Sequence, residues 1–190
     1  MNKTQTGLVV IYLIALLSSA GCATQQLSSN SDSPPKSASS SPSYDGKVVS
    51  LRDDEERHNI AHWEKARALY LYDLQMAALD RKFDRLSDPD YLLGEKLIQA
   101  GLKVAYAQAD QLTLNDPQSA LHELEDARSK LAVADNLAPP ADKPSLAKVE
   151  HLLATARNSA ASGHCKSTAA EARTYKNLHT QLDRLIQGVG

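Results

Sequence analysis

From Asp53 to the C-terminus the apolar residues recur in steps of three and four, and two Asp-Pro pairs, Asp88-Pro89 and Asp116-Pro117, punctuate the run. Steps of three and four place side chains on one stripe of an α-helix. An Asp-Pro pair starts a helix, because the carboxylate caps the first N–H groups and proline fills a position whose N–H would have no partner. No stretch alternates apolar and polar residues long enough to read as a strand. A chain punctuated in this way is confined to an all-α fold.

The individual stripes follow from the spacing. Leu69, Tyr72, Met76, Leu79, Phe83 and Leu86 mark a first helix, with Asp53 and Asp54 as its caps. The second carries Tyr91, Ile98, Leu102, Ala105, Ala109 and Leu112, and Gly94 and Gly101 beside that stripe are places where a neighbouring helix can come close. Ala120, Leu124, Ala127, Leu131 and Ala134 form the third. After the break at Ala138-Pro139-Pro140, Pro144 opens a fourth with Leu146, Val149, Leu153, Ala156 and Ala160. Gly163 is a left-handed stop, Thr168 with Glu171 fits a capping box, and Tyr175, Leu178, Leu182 and Leu185 line the fifth. Aromatic residues are only 5% of the chain, which suits Ala- and Leu-rich helices better than a sandwich of strands. The expectation for residues 51–190 is about five helices in antiparallel hairpins, 89–137 and 144–187, forming a bundle or a short helical-repeat array.

The N-terminus has a different organisation. Lys3 precedes the apolar run Leu8–Leu17, and the small residues Ser18-Ser19-Ala20-Gly21 lead to Cys22. Ten apolar residues rise about 15 Å as a helix, half of a bilayer's hydrocarbon core, so residues 1–21 read as a signal peptide and not as a membrane span. Residues 22–50 are Ser- and Pro-rich, too polar to build a core, and read as a disordered linker with a reach of about 30 Å.

Ser19-Ala20-Gly21-Cys22 resembles the lipobox of bacterial lipoproteins. The resemblance implies cleavage before Cys22, a diacylglyceryl thioether on its sulfur and an acylated amino group, giving a durable membrane anchor. Ala23 after the cysteine implies the outer membrane, with the folded part facing the periplasm. In the hairpins, Val104 and Ala109 are echoed by Val149 and Ala154 about 45 residues on. The hairpin rhythm resembles tetratricopeptide-like proteins over residues 91–186 and YfdX-type helical proteins in Leu114–Ala127 and Ala161–Ala172. Neither resemblance carries a functional residue across.

Several residue groups bear on chemistry. His58 and His62 lie one helical turn apart and, with Asp54 or Glu55, are candidate metal ligands, although Asn59 stands where a zinc protease has its glutamate. Cys165, flanked by His164 and Lys166, is the only thiol besides Cys22 and is a candidate for redox chemistry or an inter-chain disulfide. Gly163–Thr168 ends like a phosphate loop but has Cys165 where glycine is required and a helix where a strand is required, which excludes nucleotide. Trp63 and Tyr70 lie off the first helix's main stripe and are a candidate partner-binding face.

Charge narrows the partners. With 21 Lys+Arg against 23 Asp+Glu the net charge is −2, which leaves no footprint for nucleic acid. No pair of carboxylates stands out as catalytic, so a peptidoglycan hydrolase is not favoured and no enzyme activity or cofactor is expected. The expected function is a lipid-anchored envelope protein that binds another protein through its helical hairpins. The alternative is a metal- or redox-responsive periplasmic sensor using His58 and His62 or Cys165. Labelled palmitate is expected to enter the protein, and Cys22→Ser to abolish both labelling and membrane fractionation. An unlabelled protein with unchanged fractionation would remove the anchor.

Overall fold

The two Asp-Pro pairs start helices as their chemistry requires. Asp88 accepts from the Asp90 amide at 2.9 Å, and Asp116 accepts from the Gln118 and Ser119 amides at 3.1 Å each. The Ser119 hydroxyl also donates to Asp116, and these bonds hold its carboxyl below the usual carboxylate range. The structure, a computed structural model, describes residues 45–85, 88–163 and 168–189, with side chains from Asp53 onward. Cys22, the linker up to residue 44, Leu86 and Cys165 lie outside the described residues.

Five α-helices follow in order: α1 (Asp45–Lys82), α2 (Pro89–Gln108), α3 (Pro117–Leu137), α4 (Lys143–Ala161) and α5 (Ala169–Gly188). A π-helical segment, Ala109–Leu114, continues α2 and ends at Asn115 with a φ of 59°. No strand is present among the described residues, and none of their helices is long and apolar enough to cross a membrane. Helices α2, α3, α4 and α5 each pack on the next, and α5 returns to α2. That return closes a four-helix bundle, where an open repeat array would leave the first and last hairpins apart.

The stripes expected on α3, α4 and α5 are the ones buried in the bundle, from Ala120 to Ala134, Leu146 to Ala160 and Tyr175 to Leu185. Leu and Ala alternate along α3, so the small residues admit the large ones of facing helices. The ends behave as read. Gly163 has a φ of 64°, in the left-handed region. The Glu171 amide donates to Thr168 Oγ1 at 3.2 Å, and the Thr168 amide donates to Glu171 Oε2 at 2.7 Å, completing the capping box.

Helix α2 departs from its expected stripe. Leu93, Leu97, Ala100, Val104 and Ala107 enter the bundle core, while Tyr91 and Ile98 form a second cluster with Leu79 of α1. Leu102 and Ala105 are only half-buried. A helix that serves neighbours on two sides shows no single stripe.

Helix α1 begins at Asp45, so Asp53 and Asp54 sit inside it instead of capping it. It packs along α2 and the π-helical segment, and its attachment changes character along its length. In its C-terminal half Tyr72, Met76 and Leu79 meet Tyr91 and Ile98, and Tyr91 Oη donates to Asp80 at 2.9 Å. In its N-terminal half the inward positions are Ala61, Lys65 and Ala68; Lys65 donates to Asp110, and Glu64 accepts from the Thr113 hydroxyl. Leu69, assigned to the inward stripe by its spacing, is 44% exposed. There Lys65 reaches Asp110, with the small residues Ala61 and Ala68 one turn to either side on the inward face.

The two glycines near this seam differ. A Cβ at Gly94 would lie 2.6 Å from Leu79 Cδ1, so α1 does approach closely there, whereas a Cβ at Gly101 would meet nothing within 4 Å. Gly101→Ala is therefore expected to stabilise the domain by about 0.4–1 kcal/mol through helix propensity and a less flexible unfolded chain. Gly94→Ala is expected to gain less, because Leu79 has to move. Urea unfolding of both variants checks the order.

Candidate functional site

Three buried polar side chains concentrate where the π-helical segment meets α4 and α5. Asp110 and Gln111 lie on that segment, and Glu171 lies in the first turn of α5. The π turn leaves three consecutive residues, Ala109, Asp110 and Gln111, buried at once. Asp110 therefore turns toward α1 while Gln111 enters the bundle.

Each of these groups is paired. Lys65 Nζ donates to Asp110 at 2.5 Å, and the same ammonium lies 5.6 Å from the centre of the Tyr106 ring. Burial pushes the Asp110 carboxyl up, with the Lys65 ammonium pulling against it. Tyr175 Oη donates to Gln111 Oε1 at 2.7 Å, and burial raises the phenol so that it keeps its proton. Gln111 Nε2 donates to Ser159 Oγ and to Glu171 Oε1, each at 3.3 Å. Ser159 Oγ also donates to Glu171 Oε1. Among the described residues no buried side-chain nitrogen or oxygen lacks a partner. A network this fully satisfied locks helices together, with both Glu171 oxygens held in hydrogen bonds.

A cleft of about 350 Å³ opens beside the network between α4 and α5. Thr155, Ser159, Ser162, Thr168 and Thr174 set hydroxyls into walls that are otherwise largely apolar, and Glu171 and Tyr175 also line it. Thr155, Ser162 and Thr174 donate to nearby backbone carbonyls and Ser159 donates to Glu171, so these hydroxyls meet a small polar molecule as acceptors. Glu171, the acid beside them, is already engaged.

The larger feature lies on α1. A depression of about 660 Å³ runs past Ile60, Trp63 and Arg67, and every residue that lines it belongs to this one helix. It is an open face and not an enclosed cavity. Trp63 is 72% exposed and Tyr70 62%, so neither covers the end of the bundle. Ile60 and Leu74 continue the same row, at 45% and 47% exposed. Sequence reasoning found the two aromatics and missed these two aliphatic neighbours. The signal was the 3–4 spacing, interrupted for the eye by Arg67.

His58 and His62 both lie exposed on α1. His58 Nδ1 is 2.8 Å from the Asp54 carbonyl of its own helix and donates to it. No group of three or more His, Cys, Asp or Glu converges as a metal site among the described residues, so the pair has no third ligand there. Cys165, the other candidate, falls outside them.

Among known proteins, no family model matches the chain, and neither a curated protein nor a solved structure matches it.

The bundle also holds a titrating group. His179 on α5 is half-buried, its Nε2 donating to Gln108 Oε1 at 3.0 Å, and desolvation pulls its pKa from 6.5 down to about 4. One turn on, burial pushes the Asp183 carboxyl up. In the unfolded chain His179 takes a proton below about pH 6.5, while in the folded chain it stays neutral until about pH 4. Its contribution to stability is complete above pH 6.5 and is lost as the pH falls between those values. Asp183 acts in the opposite sense, contributing at low pH and losing its contribution as the pH rises. His179→Gln is expected to flatten the loss of stability between pH 6.5 and 4, a loss of at most about 1.4 kcal/mol per pH unit for one group. Urea midpoints measured across that range check it, and an unchanged slope would contradict it.

Proposed function

We propose that this chain is a lipid-anchored protein of the bacterial cell envelope, held at the outer membrane through Cys22, whose helical domain acts in the periplasm as a protein-binding scaffold and not as an enzyme. The anchor follows from the lipobox-like Ser19-Ala20-Gly21-Cys22 and the short apolar run before it. The binding role is carried by one observation: Ile60, Trp63, Tyr70 and Leu74 form an exposed apolar row on a helix whose other side is already packed on the bundle. Isolated exposed apolar residues are ordinary, but a row of four on one helix face, two of them large aromatics and broken only by Arg67, marks an interaction surface. Tryptophan and tyrosine are also the residues that dominate binding at protein interfaces. On the inner side of α1, Lys65 pairs with Asp110, and the polar network at Gln111, Glu171 and Tyr175 ties the π-helical segment to α4 and α5.

A photoreactive phenylalanine analogue at the Tyr70 position, irradiated in intact cells, is expected to yield a discrete covalent adduct with a protein. The same group at Lys148, on the exposed polar side of α4, is expected to yield none. An absence of adduct from the α1 face would overturn the scaffold reading.

A further inference from the structure

The exposed row on α1 is longer and more ordered than its apolar members show. Glu56, Ile60, Trp63, Arg67, Tyr70, Leu74, Ala77 and Arg81 follow one another in alternating steps of four and three, and all eight are exposed. A period of seven residues sustained over this length is the spacing of a coiled-coil seam, because it keeps one stripe facing a second helix. The seam spans about 38 Å along the helix axis.

Its chemistry is symmetric about a point midway between Ala68 and Leu69. When the stripe is reversed about that point, Glu56 falls opposite Arg81. Ile60 falls opposite Ala77, and Trp63 opposite Leu74. Arg67 falls opposite Tyr70, where a guanidinium can lie over the ring. Every layer then pairs either opposite charges, a large apolar side chain with a smaller one, or a cation with an aromatic. A parallel, in-register pairing would instead place Glu56 on Glu56, Arg67 on Arg67 and Arg81 on Arg81, with like charges in three layers. The charges at the ends are free to take part: Glu56 is exposed, and Arg81 is exposed with its Nε donating only to the Ala77 carbonyl of its own helix.

We propose that the occupant of this face is a second copy of the same chain, docked antiparallel along α1 about a two-fold axis between Ala68 and Leu69. An isologous interface demands that one patch complement itself under a two-fold rotation, and this stripe does so layer by layer. The inference rests on the reading of the α1 face as a protein-docking surface and names the partner for it.

The test uses the full chain purified in mild detergent and followed by sedimentation velocity. The chain is expected to sediment as a dimer that dissociates on dilution. Trp63, the only tryptophan, is expected to shift its emission to shorter wavelength as the dimer forms. Trp63→Ala is expected to weaken association at least about tenfold. Glu56→Arg and Arg81→Glu are each expected to weaken it, since each places like charges together at both ends of the dimer. An equimolar mixture of the two single variants is expected to restore association, because both end layers of the mixed dimer regain opposite charges. Circular dichroism of each variant confirms that it is folded.

A wild-type chain that stays monomeric, or single charge variants that associate as tightly as wild type, would overturn the proposal. So would a mixture that associates no better than its components. A monomeric chain that still crosslinks from Tyr70 to a different protein in cells would remove self-association and leave the scaffold reading standing. A monomer that crosslinks to nothing removes both.

Discussion

Helix α2 is asked to be interior on two sides at once, and the arrangement of the other helices follows from that demand. Leu93, Leu97, Ala100, Val104 and Ala107 point into the four-helix core, while Tyr91, Ile98 and the bare backbone at Gly94 receive α1. Burial on both sides confines the polar residues Glu95, Lys96, Gln99 and Lys103 to one narrow, half-buried strip. Its neighbours must then supply polar partners wherever α2 and its extension carry them. Lys65 does so for Asp110, and Tyr175, Ser159 and Glu171 do so for Gln111. The π-helical segment is where this supply concentrates. There the chain turns two adjacent polar residues inward, in different directions.

The same demand explains which parts of the fold are readable from the residues alone. Helices α3, α4 and α5 each bury one side, so their stripes at Ala120–Ala134, Leu146–Ala160 and Tyr175–Leu185 stand out at the helical period. The caps at Asp88, Asp116 and Thr168 are local events between neighbours in the chain, and local chemistry is visible in local sequence. Helix α2 is not readable in this way, because two buried sides overlay two stripes. On α1 the inward residues Ala61, Lys65 and Ala68 look less core-like than Leu69, which points outward. The stretch Ala109–Leu114 contains nothing that distinguishes a π turn from an α turn. Its conformation is decided by partners that lie 45 to 64 residues away in the chain.

The candidate face divides similarly. Trp63 and Tyr70 are visible as aromatics off the main stripe, but their importance depends on knowing that nothing in the bundle covers them. Only the packed structure separates an aromatic that seals a bundle from one that faces outward. Once that is known, the remaining members of the row follow from spacing, and their self-complementarity can be read from the letters. His58 and His62 show the converse. Their spacing is what a metal site would need, yet one ring is turned back to its own helix at the Asp54 carbonyl. Spacing defines which side chains can meet and leaves open what else arrives to meet them.

The hydrogen bonds around Gln111 have a further effect that concerns axial alignment. Leu and Ala repeats are nearly invariant to a shift of one helix past another by a turn or two, since one leucine fills a hole much as the next does. Tyr175, Glu171 and Ser159 are not interchangeable with their neighbours one turn away, so sliding α5 along the bundle would strand a phenol and a carboxylate without partners. The polar cluster thus works as a detent: it selects one alignment among several that the greasy stripes alone would tolerate, and so gives a bundle built from a plain two-letter repeat a single resting position.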